Sequence, residues 1–141
     1  MLQQVDFYLL QANSRRNPLK VAVQLIEKAW NGGQSIYILC HDQQQVEQLD
    51  QLLWTFKADS FIPHGILNAD NSSNESIVIG TEYQLPASDV VLNLSNRQPE
   101  NPQQCQRVLE VVAAEEESTI AARQRYRYYQ KLDIKPNTHK L

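Results

Sequence analysis

Glycine is scarce, with four in 141 residues. None stands where a phosphate-binding loop needs one. No G-x-G-x-x-G follows an apolar run, and no G-x-x-x-x-G-K-[ST] occurs. The turn after the first apolar run is "QANSRRNP", which cannot cradle a pyrophosphate on glycine backbone. "NGGQ" (31–34) follows a helical stretch and precedes an apolar run, the reverse of a phosphate loop, and reads as a helix C-cap. Cysteine is also scarce. Cys40 closes the apolar run "SIYIL", and Cys105 lies in a polar stretch. They read as free thiols in a reducing compartment, the cytoplasm. No apolar run approaches the roughly 20 residues of a membrane-spanning helix. The opening "MLQQVDFYLL" has neither a basic segment nor a small-residue cleavage site, so it is not read as a signal peptide. Positive charge is not in excess either: 13 Lys and Arg stand against 16 Asp and Glu, for a formal net charge of −3. A chain that grips duplex DNA along a whole face usually carries a large positive excess. Any electrostatic binding here must be local.

Catalytic chemistry lacks a constellation as well. Cys40 and His41 are adjacent and would point to opposite sides of a continuing strand. His64 and His139 have no obvious partners in sequence. Asp42 sits at a strand end, where acids serve catalysis in open α/β sheets, but Gln45 three residues later makes it half of a capping box. No carboxylate pair stands out. An enzyme is disfavoured, and no metal or cofactor is expected.

What is present is a pattern of alternating short apolar runs and amphipathic segments. "VDFYLL" (Val5–Leu10), "SIYILC" (Ser35–Cys40), "SIVIGT" (Ser76–Thr81) and "DVVLNLS" (Asp89–Ser95) read as buried strands, and "DSFIPH" (Asp59–His64) as a brief strand broken by Pro63. From Pro18 to Trp30, Leu19, Val23, Ile26 and Trp30 repeat at helical spacing. Val46, Leu49, Leu52 and Leu53 mark a second helix ending near Trp54. Gln103 to Val112 reads as an amphipathic helix. The acids Glu115, Glu116 and Glu117 open another that runs to about Leu132, since carboxylates favour the positive end of the helix dipole. Pro136 stops it, and the tail from about residue 134 reads as loose. The order predicts one α/β domain over residues 1–141: a Rossmann-like, three-layer arrangement with a mainly parallel sheet flanked by helices and no nucleotide-binding fingerprint.

Two surface features resist a purely structural explanation. In "AARQRYRYYQK" (121–131) four cations are interleaved with three tyrosines and no acid. On a helix, Arg123, Tyr126, Arg127 and Gln130 share one face, and Thr119 extends it one turn earlier. Ala122 and Tyr129 are placed to pack on the sheet. The face is either a solvated one or an anion-binding patch, in which arginine grips a carboxylate and tyrosine supplies an apolar floor. An acidic peptide or a free carboxyl terminus suits it, and single-stranded nucleic acid stacked on the tyrosines is the competitor. The second feature, "LLWTFKADSFIPH" (52–64), gathers Trp54, Phe56, Phe61 and Ile62 at a helix end. Those aromatics are core or interface anchors.

In this order and spacing, "VDFYLL", "LDQLLWTFKADSFIPH" and "AARQRYRYY" resemble the chi subunit of bacterial DNA polymerase III, over nearly the whole chain. The resemblance implies a non-enzymatic accessory protein of the replicase with a Rossmann-like fold and no nucleotide site. It implies two protein partners: the psi subunit, which ties chi to the clamp-loader complex, and the acidic C-terminal tail of single-stranded DNA-binding protein, which ends in phenylalanine. DNA would be met only indirectly, and no membrane is involved. The family's tail-binding arginine and tyrosine fall on Arg123 and Tyr126, with apolar contacts at Val112 and its neighbours. The psi-facing aromatics fall on Trp54 and Phe61, and the same surface can serve an alternative helicase partner in some bacteria. One position departs from the pattern. A lysine that a well-known member carries one turn before the key arginine corresponds to Thr119 here, and Arg127, one turn after Arg123, is the expected substitute.

Overall fold

The short apolar runs become strands because both of their faces are covered. The computed structural model describes residues 2–12, 17–55, 62–67 and 75–141. Its strands are β1 (Gln4–Leu9), β2 (Ile36–Leu39), β3 (Gly65–Ile66), β4 (Ile77–Gly80), β5 (Val90–Asn93), β6 (Arg107–Val112) and β7 (Asn137–Lys140). Three helices, α1 (Pro18–Asn31), α2 (Gln43–Thr55) and α3 (Glu116–Lys131), and one 3-10 turn, Pro102–Gln104, complete it. All seven strands join one parallel sheet in the order β3-β4-β2-β5-β6-β1-β7. The expected Rossmann-like α/β arrangement is therefore present.

The layers follow from side-chain alternation. On β2, Ile36 and Ile38 share a core with Val21 and Ile26 of α1 and Val46 and Leu49 of α2. Tyr37 and Leu39 share the opposite core with Ala122 and Tyr129 of α3. A strand buried on both sides must be apolar at successive positions, which is why β2 reads as a continuous run. Burying each such side chain contributes about 1.5–3 kcal/mol.

Local signals set the helix ends. The Asn17 side chain accepts a hydrogen bond from the Lys20 amide at 2.9 Å, and Pro18 occupies the first turn of α1. Gly33, with φ of 73°, takes the left-handed conformation just beyond that helix. At the start of α2 the Asp42 carboxylate accepts from the Gln45 amide at 2.9 Å, and the Gln45 side chain accepts from the His41 amide at 2.7 Å. This reciprocal cap accounts for Asp42 without catalysis.

Three expectations need correction. Residues 103–112 are not a helix but the 3-10 turn followed by β6, which lies between β5 and β1. The spacing of Val108, Leu109, Val111 and Val112 fits one helical face, but it equally fits a strand buried on both faces, and β-branched residues favour the strand. The tail is not loose. Asn137–Lys140 pairs in parallel with β1, and the Leu141 amide donates to the Leu9 carbonyl at 2.9 Å. All four β7 residues are polar and exposed, so no apolar pattern announces the strand. Finally, in the stretch Asp59–His64 the described residues 62–64 are not strand, and a two-residue strand follows them at Gly65–Ile66, beyond Pro63. Residues 59–61 of that stretch lie outside the described residues.

Candidate functional site: a groove between helix α3 and strand β7

The inward stripe of α3 is Ser118, Ala122, Arg125 and Tyr129, all buried. Two of these fasten the helix to a single carboxylate. Glu110, in the middle of β6, is fully buried. Its Oε1 accepts from Arg125 Nε at 3.0 Å and from Asn93 Nδ2 at 3.0 Å, and its Oε2 accepts from the Tyr129 hydroxyl at 2.8 Å. Asn93 stands directly opposite Glu110 across the β5–β6 ladder. Burial pushes the Glu110 carboxyl above the usual range; the Arg125 charge and the hydrogen bonds from Tyr129, Asn93 and Arg125 oppose that rise. The Tyr129 phenol is pushed well above its ordinary value by burial and by the neighbouring Glu110. Replacing a buried ion pair of this kind with well-packed apolar groups is often neutral or stabilising, whereas removing one partner alone is costly.

With that stripe pinned, the adjoining stripe is left open to solvent along one side. Thr119, Ala122, Arg123 and Tyr126, spaced three and four apart, line a groove of about 200 Å³. Phe7 and Leu9 of β1, Val112 of β6 and Thr138 of β7 complete it. The Tyr126 ring leans on Phe7 at 5.5 Å between centroids and 48° between planes, and Phe7 meets Tyr129 edge-on at 6.1 Å. The floor is therefore aromatic and aliphatic, the walls carry two threonine hydroxyls, and the one formal charge in the lining is Arg123. Neither Arg123 nor Arg127 is in an ion pair among the described residues. Such a groove can take an apolar side chain and hold a carboxylate at its mouth.

The sequence-derived set divides cleanly. Val112, Thr119, Arg123 and Tyr126 come together in the groove, while Arg127 is exposed on α3 and does not line it. Phe7, Leu9, Ala122 and Thr138 were not anticipated as lining residues. Period-two alternation along β1 could have flagged Phe7 and Leu9; Thr138 gave no signal. Trp54 lies at the other end of the molecule's chemistry. It is 56% exposed at the end of α2, with its ring edge-on to His64 at 5.5 Å. Phe61 is outside the described residues.

The places where enzymes of this architecture work are differently furnished. A crevice of about 360 Å³ above the carboxyl ends of β2, β5 and β6 is rimmed by His41, Asn96, Glu115 and Glu117. It presents two carboxylates, and no glycine, where a nucleotide would need a phosphate cradle. Both thiols are free and buried, with burial pushing Cys40 up to about 12 and Cys105 up to about 11, so neither is a ready nucleophile. His64 spends its two ring nitrogens on the Ile62 carbonyl and the Asp50 carboxylate, and His139 bonds Asp6. No group of three metal-binding side chains occurs among the described residues. No helix among them is long and apolar enough to cross a membrane.

Comparison with known proteins decides the family. The family model described as the DNA polymerase III chi subunit, HolC, matches residues 2–137. The chain belongs to the DNA polymerase III chi subunit family. DNA polymerase III subunit chi of Pseudomonas aeruginosa is 32% identical over 140 residues, spanning 99% of this chain and 98% of that protein. The Escherichia coli K12 subunit chi is 25% identical over 143 residues, with 97% of each chain covered. That of Haemophilus influenzae is 23% identical over 129 residues, with 90% of each covered. Chi subunits form a family of accessory, non-catalytic polymerase subunits, which agrees with the missing nucleotide and nucleophile signatures.

Proposed function

We propose that the protein is a non-catalytic adaptor of the DNA polymerase III holoenzyme. One surface holds the psi subunit of the clamp-loader complex, and the α3 groove holds the acidic C-terminal tail of single-stranded DNA-binding protein. The observation that carries this reading is the groove itself: an apolar floor of Phe7, Leu9, Val112 and Tyr126 with a single guanidinium, Arg123, beside it. A free carboxylate following a phenylalanine matches that arrangement, with the ring on the floor and the carboxylate on Arg123. The net charge of −3 keeps the adaptor from competing for the DNA that its partner covers. On the opposite helical layer, the exposed Trp54 at the end of α2, with Phe61 further along the chain, is assigned to psi. The free, buried cysteines suit the reducing cytoplasm.

Fluorescence anisotropy with an acidic peptide ending in phenylalanine tests the assignment. Arg123→Ala is expected to weaken binding by about 1.5–3 kcal/mol, the range for hydrogen bonds to charged groups. Trp54→Ala should weaken psi binding and leave the peptide alone. Unchanged peptide affinity in Arg123→Ala would remove Arg123 from the site. Tight binding to naked oligonucleotide, with a steep salt dependence, would instead favour a direct single-stranded nucleic-acid module using the same Arg/Tyr helix.

A further inference from the structure

We infer that Lys140 is the second cation of the α3 groove and that β7 is a built wall of the site, an inference that rests on the adaptor reading and deepens it. An acidic tail brings more than one negative charge, yet the lining supplies one formal positive charge, Arg123. Arg127, the sequence-based candidate for a second, does not line the groove. Lys140 is not among the lining residues either, but the register of β7 sets it opposite one of them. In the β1–β7 ladder Thr138 stands opposite Phe7 and Lys140 opposite Leu9, and Phe7, Leu9 and Thr138 all line the groove. Residues two apart on a strand point to the same face, so the Lys140 side chain leaves the sheet on the groove side, about 6–7 Å along β7 from Thr138. It is exposed and is in no ion pair among the described residues.

The intervening residues show that this placement is fixed. Asn137 and His139, of the opposite parity, turn to the other face and donate to Asp6 Oδ1 at 3.2 and 3.0 Å. Asp6, 1% exposed, also accepts from Arg107 Nε at 2.9 Å. The His139 ring stacks on Tyr8 at 4.7 Å and 16°. Thus one face of β7 is anchored, and the other carries Thr138, which lines the groove, and Lys140, which follows it on the same face beyond the lining. A flexible lysine at the rim suits side-chain carboxylates upstream of the terminal one, while the rigid guanidinium fork suits the terminus itself.

The test uses the full chain and the same acidic peptide ending in phenylalanine, at low and physiological salt. Lys140→Ala should weaken binding about 1.5- to fivefold at low salt, the range for an exposed ion pair, and flatten the salt dependence. Lys140→Glu should weaken it by roughly tenfold or more, because it adds repulsion. Arg127→Ala serves as the comparator and should change affinity less than Lys140→Ala. Only the backbone of Lys140 takes part in the ladder, so all three variants should melt with the wild-type protein. Lys140→Ala binding like wild type would overturn the inference, even if Lys140→Glu is weakened, since repulsion alone requires only proximity. If the wild-type protein fails to bind the peptide, or Arg123→Ala binds normally, the adaptor reading of the groove falls and the role of Lys140 falls with it.

Discussion

Asp6 and Glu110 are both buried carboxylates, on the adjacent strands β1 and β6, yet they face opposite sides of the sheet and live in different electrostatic settings. Asp6, on the α1 side, accepts from Gln4, Arg107, Asn137 and His139. Two of its partners reach water: the Arg107 side chain is 30% exposed and that of His139 44%. Glu110, on the α3 side, is paired with an Arg125 side chain that is only 3% exposed. Burial raises both carboxyl pKa values, but for Asp6 the hydrogen bonds from His139 and Arg107 and the Arg107 charge outweigh it and leave the value lowered. For Glu110 burial prevails and the value is raised. The same residue chemistry therefore makes opposite contributions, and the deciding variable is how deeply the carboxyl itself is desolvated relative to the hydrogen bonds and charge that oppose burial. Each carboxylate nevertheless does one job. Glu110 seats α3 and Asp6 seats β7, the two elements that wall the groove.

The comparison breaks most violently at Arg125. Arg125→Ala leaves Glu110 buried without its cation, and the expected cost is about 3–5 kcal/mol in urea unfolding. The Arg125 guanidinium engages Glu110 through Nε, while Nη1 and Nη2 have no hydrogen-bond partner among the described residues. The pair is thus incompletely satisfied, and a volume-matched Arg125→Met with Glu110→Leu should recover most of the loss. A cost below about 1 kcal/mol for Arg125→Ala would mean that Glu110 is held by Tyr129 and Asn93 alone.

Asp6 should yield a smaller loss with a distinct pH signature. Asp6→Ala strands donors that partly face water, so about 1–3 kcal/mol is expected. Because the folded pKa lies below the unfolded value near 3.9, Asp6 contributes stability that is fully present above about pH 4–5 and lost as pH falls through the folded value. Protection of the Leu141 amide, whose N–H bonds the Leu9 carbonyl, measured against the intrinsic exchange rate at each pH, should fall in acid in the wild type and be low at all pH values in Asp6→Ala. Glu110 has the reverse sign. With its folded value raised, stability declines as pH climbs from the ordinary glutamate value near 4.3 toward the folded one. Acid-independent protection at Leu141 would show that Asp6 is not what fastens β7.

These two carboxylates also mark where the sequence stops being readable. Strands buried on both faces announce themselves as apolar runs, and α1 and α2 carry both periodicity and caps, so that much of the fold is legible. Half of the groove is legible too, because Thr119, Arg123 and Tyr126 fall on one helical face. Glu110 is not: an acid inside "RVLEVV" looks like the polar side of a helix until Arg125 is placed beneath it. Nor is β7, whose "NTHK" has no apolar residue and is held by side-chain bonds to Asp6, more than a hundred residues away in sequence. Long-range polar pairing leaves no periodic trace, and so the groove's second wall is visible only in three dimensions.

Tyr129 offers the gentlest probe of the difference. Its hydroxyl donates to Glu110 Oε2 at 2.8 Å and accepts from Gln98 Nε2 at 3.2 Å. Tyr129→Phe keeps the ring, and with it the edge contacts to Phe7 and Tyr128, so only the hydroxyl's share is removed. About 1 kcal/mol is expected, the net value of one buried hydrogen bond. Because Tyr129 and Arg125 serve the same carboxylate, the double variant Tyr129→Phe with Arg125→Ala should depart from additivity by about 0.5–3 kcal/mol. Strict additivity would separate the two contacts energetically. A single-variant loss beyond about 3 kcal/mol would make the phenol, and not the guanidinium, the main support of Glu110, and would shift the seat of α3 from an ion pair to a neutral hydrogen bond.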